Sequence, residues 1–114
     1  MPRRGYPASG YRAMWVLAMF DLPVDDLELR RAYTRFRAAL LRLGFSMLQY
    51  SVYAHYANSP EAEQALRRAV QRALPPRGQV RLLSVTDRQF GRMQTFVGKA
   101  PRKAEKPPPQ VIFL

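Results

Sequence analysis

Cysteine is absent from this chain of 114 residues. That excludes disulfides, thiolate metal sites and a thiol nucleophile, and it suits a reducing cytosol. Histidine occurs once, at His55. A conventional His-based metal site is therefore out of reach, and His55 is expected on a strand surface rather than as a general base. Long apolar stretches are missing too. The longest, residues 14–20, spans about seven residues, against the ~20 that a membrane-spanning helix requires. The N-terminal Met1-Pro2-Arg3-Arg4-Gly5 is basic but lacks the apolar core of a secretion signal. These absences together predict a cytoplasmic protein that does not enter a membrane. No nucleophile motif, phosphate-binding glycine loop, zinc pattern or internal repeat is visible, and Ser51 has no evident base partner. Such a chain is poorly equipped as a fast enzyme.

Acidic residues are also scarce: 8 Asp plus Glu stand against 19 Lys plus Arg, a net charge of +11. Sixteen of the basic residues are arginine, whose planar fork grips phosphate with two hydrogen bonds. A surplus this large repels itself unless a polyanion relieves it, so nucleic acid is the leading partner. The alternatives are a solvated basic surface or a protein that lies on a membrane surface. The Gly-Phe-Gly/Ala-Phe-Val wording of an RNA-reading sheet is not present, which weakens base stacking as the main binding mode.

The length bounds the answer to one domain with a modest core, a size at which burial against a second copy would add stability. Residues 1–13, with two prolines and two glycines, read as a mobile basic arm. Residues 14–20 read as a central strand covered on both faces. A helix follows over about 26–43, with Asp25 and Glu28 in a capping-box pattern. Leu29, Ala32, Tyr33, Phe36, Leu40 and Leu43 make its buried face, and Gly44 stops it. Arg31, Arg35 and Arg42 share a second face of this helix; Arg30 and Arg37 share a third. Residues 45–50 and 52–57 read as two strands with a tight connection or bulge near Ser51. Ser59 followed by Pro60 starts a second helix, with Ala62, Ala65, Leu66, Ala69, Val70, Ala73 and Leu74 as its apolar stripe. Arg67, Arg68 and Arg72 lie off that stripe, and Pro75-Pro76 ends the helix. Residues 79–86 read as a fourth strand, 87–93 as a turn and 95–97 as a short fifth strand. Residues 99–109 read as a polar, proline-rich linker. The linker leads to residues 110–114, where Val111, Ile112, Phe113 and Leu114 are apolar enough to act as an extra C-terminal strand docking on a sheet edge. The domain proper is thus 14–98. Its order, strand-helix-strand-strand-helix-strand, is the α+β, ferredoxin-like split pattern, a fold that does not by itself name a function.

Asp21 ends the first strand, where open sheets place ligand sites. A lone Asp before Leu22-Pro23 also serves commonly as a turn or capping residue. Asp25, Asp26 and Glu28 are better explained as helix N-terminal charges. On the arginines the sequence is stronger, because they recur on both helices, each of which has a separate apolar side. Such a surface grips phosphates without reading bases.

The apolar strand closing on Phe20-Asp21, the Arg30-Arg31 pair and the sequence Gln49-x-Ser51-Val52-Tyr53 resemble the smaller of the two core CRISPR-associated spacer-acquisition proteins, the "two" family of CRISPR-associated endoribonucleases. The likeness spans residues 14 to about 98. It implies a ferredoxin-like homodimer that bridges dimers of the CRISPR integrase and holds protospacer duplex DNA. The phosphate contacts are then expected from Arg30, Arg31, Arg35, Arg37 and Arg42, with Arg67, Arg68 and Arg72 beside them. The resemblance also implies that the Asp at position 21 binds Mg²⁺ or Mn²⁺ in the dimer and acts as the catalytic residue of an endoribonuclease with single-stranded RNA as substrate. Mg²⁺ is suited to such a place, because it takes one or two carboxylates and completes its shell with water and phosphate. Two departures are evident: Phe20 stands where Tyr is often found, and Tyr53 where Phe is common. A generic basic RNA-binding protein is the third reading.

Overall fold

In the computed structural model, which describes residues 13–105, the apolar run becomes strand β1, Met14–Asp21. Helix α1, Leu27–Arg42, follows, then strands β2, Ser46–Gln49, and β3, Val52–Ala57. Helix α2, Pro60–Arg72, leads to strand β4, Gln79–Thr86, a short helix α3, Asp87–Gly91, and two short strands, β5, Thr95–Val97, and β6, Ala100–Arg102. The main sheet has the order β2-β3-β1-β4, with every neighbouring pair antiparallel. Two helices connect and cover these strands, which makes the fold the ferredoxin-like α+β arrangement expected from the sequence.

β1 sits between two partners, so its alternating side chains feed two faces. Val16, Ala18 and Phe20 join Phe36 and Leu40 of α1, Val70 of α2, and Phe45 and Tyr53 in one buried cluster. Phe20 is its hub: its ring meets Phe36 edge-on at 5.1 Å and stacks on Tyr53 at 5.7 Å. The other face gathers Trp15, Leu17, Ala54 and Phe90, with Leu48, Tyr56 and Val85 packed against them. Here the Trp15 indole stacks on Phe90 of α3 at 4.0 Å and donates to Asp87 Oδ1 at 2.8 Å.

Local signals account for most boundaries. Ser59 caps α2, its side chain accepting from the Ala62 amide, with Pro60 at the first helical position. Ser51 takes a positive φ of 66° in the turn between β2 and β3, and the β2–β3 register shifts between Met47 and Gln49, as the bulge near Ser51 predicts. Gly44 ends α1 with φ +99°, and a Cβ there would lie 2.7 Å from His55 Nε2. This position therefore requires glycine both for its backbone angle and for the close approach of the imidazole.

Several expectations need correction. The cap of α1 is Asp26, whose side chain accepts from the Leu29 amide at 2.8 Å, and not Asp25. Ala65 on α2 and Leu74, just past its end, are exposed, so the buried stripe is narrower than the alanine pattern suggests. Residues 87–91 form a helix rather than a turn, because Thr86 and Gln89 make a reciprocal capping box. The stretch read as a linker from 99 to 109 starts with ordered structure: Ala100–Arg102 pairs with Thr95–Val97 across Gly98-Lys99. His55 is half-buried, with its ring edge-on to Phe45 at 5.5 Å, rather than on an open strand surface. The arm at 1–12 and the docking strand at 110–114, with Val111, Ile112, Phe113 and Leu114, lie outside the described residues.

Candidate nucleic-acid and metal site

Asp21 is the last residue of β1 and is exposed. Alternation along the strand places it on the face of Trp15, Leu17 and Met19, opposite the helices. It pairs in register with Gln79, the first residue of β4. An open groove beside it is lined by Asp21, Pro23, Arg77, Gly78 and Gln79. Nearby, at the same end of the sheet, the Phe20 amide donates to the Ser51 carbonyl at 3.0 Å, which ties the β2–β3 turn to the end of β1. Among the described residues no cluster of three or more His, Cys, Asp or Glu could hold a metal. The groove itself is lined by one carboxylate, Asp21. The donor chemistry suits a hard divalent cation that keeps most of its water, and it fits such an ion best where a second copy brings a second Asp21.

The predicted arginines fall into distinct environments. Arg31, Arg35, Arg37 and Arg42 are exposed along α1, and Arg68 and Arg72 along α2. Arg35 and Arg42 are brought together: both line a cleft formed with Ala32, Phe36, Ala39 and residues 73–76. Arg30, also exposed, turns back and donates to the Val24 carbonyl at 3.2 Å, bracing the loop before α1. Arg68 reaches Gln64 at 3.4 Å on its own helix. Arg67 differs from the rest. It is half-buried, donates to Ser84 Oγ at 2.7 Å and approaches Glu63 at 3.6 Å. Ser84 in turn donates to Glu63. Arg67 thus serves chiefly to fix α2 onto β4, and less of its guanidinium faces solvent than the sequence pattern suggests.

Sequence reasoning overlooked Arg77, Gly78 and Gln79. The signal was available, because the ferredoxin-like order sets the start of β4 beside the end of β1, and whatever precedes the fourth strand then borders Asp21. Tyr50 lies at the end of the stretch 45–50 that the sequence reads as a strand. It is 76% exposed at the tip of the β2–β3 turn, stacked on Tyr33 at 6.1 Å. Hydrogen bonding with Tyr33 raises its phenol pKa above the ordinary value.

The arrangement offers two chemistries. The helix layer presents exposed guanidiniums on a rigid support, which suits phosphate gripping. The sheet end presents one carboxylate beside an arginine, which suits a hydrated divalent ion bound to a phosphate. No helix among the described residues is long and apolar enough to cross a membrane.

The family model described as CRISPR associated protein Cas2 matches residues 14–93. A protein of Parvibaculum lavamentivorans called CRISPR-associated endoribonuclease Cas2 is 45% identical over 98 residues, covering 86% of this chain and 97% of its own length. A protein of the same description from Paracidovorax avenae is 44% identical over 102 residues, covering 90% of this chain and 94% of its own length. One from Flavobacterium psychrophilum is 38% identical over 101 residues, with coverages of 89% and 88%.

Proposed function

This chain belongs to the Cas2 family of CRISPR-associated proteins, and we propose that it serves spacer acquisition as a dimeric scaffold that binds protospacer duplex DNA and bridges dimers of the CRISPR integrase. The observation that carries this reading is the division of labour in the helix layer. Phe36, Leu40 and Val70 are sealed against the sheet, so Arg31, Arg35, Arg37, Arg42, Arg68 and Arg72 are displayed outward without weakening the core. A surface of that kind holds phosphates in place and leaves strand-transfer chemistry to the integrase. The test is co-purification with the cognate integrase followed by integration of a labelled duplex into a CRISPR repeat. Integration that depends on this chain supports the reading; integrase alone working equally well defeats it.

A second reading, metal-dependent endoribonuclease, is favoured by the name its relatives carry and by the groove at Asp21. Two Asp21 carboxylates, one from each protomer, would hold Mg²⁺ or Mn²⁺, whose chemistry at that place is activation of water toward a phosphodiester of single-stranded RNA. Asp21→Asn should then abolish specific Mg²⁺ and Mn²⁺ binding while leaving the fold intact. Calorimetry decides it, and equal metal binding by wild type and variant removes the assignment.

A further inference from the structure

We infer that Arg77 is a phosphate-gripping residue of the Asp21 site and that Gly78 positions it, an assignment that rests on the reading of Asp21 as the ligand of a divalent ion acting at a phosphodiester. Arg77 and Asp21 line the same groove, together with Pro23, Gly78 and Gln79. Their meeting follows from the sheet: β4 runs antiparallel to β1 and pairs Gln79 with Asp21, so the residues just ahead of Gln79 pass the end of β1. Pro75-Pro76 stiffens their approach from α2.

Gly78 fixes the height at which they pass. Its φ is +99°, and a Cβ on it would lie 2.6 Å from Leu22 Cδ2 and 2.9 Å from the Asp21 carbonyl oxygen. Glycine backbone is therefore packed directly onto the Asp21-Leu22 backbone, closer than any side-chain-bearing residue permits. The next residue back is held at the rim of the groove. Arg77 is exposed there and unpaired: the one ion pair among the described residues is Arg67–Glu63. Carboxylate and guanidinium share a groove without closing on each other, which leaves room for a cation on the carboxylate and an anion against the guanidinium. With a divalent ion between two Asp21 carboxylates and an Arg77 on each side, positive charge is in surplus, and a phosphodiester oxygen complements it.

Arg77 also lines the adjoining depression, with Asp26, Glu28, Leu29, Ala32, Arg35 and Pro76. Arg35 lines the cleft beyond, beside Arg42. Arg77 is thus the junction between the Asp21 groove and the arginine face of α1. The acidic Asp26 and Glu28 disfavour phosphate in the middle depression, which assigns the Arg77 contact to its Asp21 side. The ligand class is the phosphodiester backbone of a nucleic acid.

The test uses full-length Arg77→Gln, with Arg92→Gln as a control for the loss of one exposed arginine elsewhere. Anisotropy with fluorescein-labelled single-stranded RNA and with a labelled DNA duplex is read across a salt series, with Ca²⁺ in place of Mg²⁺. The expected result is about tenfold weaker binding by Arg77→Gln on at least one probe. Its salt slope falls by about 0.7 on the single strand or about 0.9 on the duplex. Arg92→Gln changes affinity less than twofold, and Arg77→Lys recovers part of the loss by keeping charge without the fork. The responding probe tells which nucleic acid the groove takes. Calorimetry should show Arg77→Gln binding Mn²⁺ as wild type does. If Arg77→Gln matches Arg92→Gln on both probes, or loses Mn²⁺ binding along with nucleic acid, the assignment is wrong. Wild-type Mn²⁺ binding by Asp21→Asn would instead defeat the metal reading of Asp21, independently of the Arg77 result.

Discussion

On the helix-covered face of the sheet, Val16, Leu40 and Val70 are fully shielded from solvent and Phe36 is 1% exposed, whereas on the opposite face Leu83 stays 48% exposed and Asp21 is open to water. The first face is completed within one chain. The second is completed only in part, where α3 brings Phe90 onto Trp15; toward Asp21 that cover gives out. The difference separates two jobs. A finished face can display arginines on its outer side at no cost to the core. An unfinished face has apolar area left to bury, as the exposure of Leu83 shows.

The comparison is sharpest in stability. Phe36→Ala should lower the unfolding free energy by about 3–5 kcal/mol, a large share of the marginal stability of a domain of this size. Leu83→Glu should change it by no more than about 0.5 kcal/mol, and under the dimeric scaffold reading it should also shift sedimentation toward the monomer. Urea denaturation and sedimentation velocity together check the pair; comparable stability losses for both would erase the distinction between the faces. Next in size is the arginine surface. Replacing Arg31, Arg35 and Arg42 together with Gln should weaken duplex binding with little sequence dependence. Each phosphate contact removed should lower the slope of log affinity against log salt by about 0.9. An unchanged slope would mean that this face is merely solvated. A smaller loss than that of Phe36→Ala is expected at the partial cover of the second face. Trp15→Phe keeps an aromatic ring against Phe90 but removes the bond to Asp87, and should cost about 1 kcal/mol in the same urea measurement.

What the sequence made legible was what local chemistry dictates. The apolar run before Asp21, the Ser59-Pro60 start of α2, the Gly44 stop and the spacing of Phe36 and Leu40 each specify their element within a few residues. The cap of α1 was misplaced because three acids, Asp25, Asp26 and Glu28, crowd its start, and only the geometry of the first turn selects Asp26. α3 was missed because its five residues give no periodicity to read; its one signal is the pair Thr86 and Gln89. β6 was hidden by Pro101 and the charges around it, although Gly98, with φ +64°, supplies the tight turn that its pairing needs. At the candidate site, Asp21 stood out because it interrupts a run of apolar residues. Arg77 did not, because its nearness to Asp21 is set by strand pairing between distant segments. Arg67 looked like its neighbours on α2 until Glu63, one turn earlier, and Ser84, across on β4, turned it inward.

The two faces meet in one assay: integration of a labelled duplex by integrase complexes assembled in parallel with Asp21→Asn and with the Arg31, Arg35 and Arg42 triple Gln variant. A scaffold that works through its helix-layer arginines predicts integration near the wild-type level for Asp21→Asn and a large loss for the triple variant. Loss of integration by Asp21→Asn in a complex that still assembles, with the triple variant integrating normally, would contradict it.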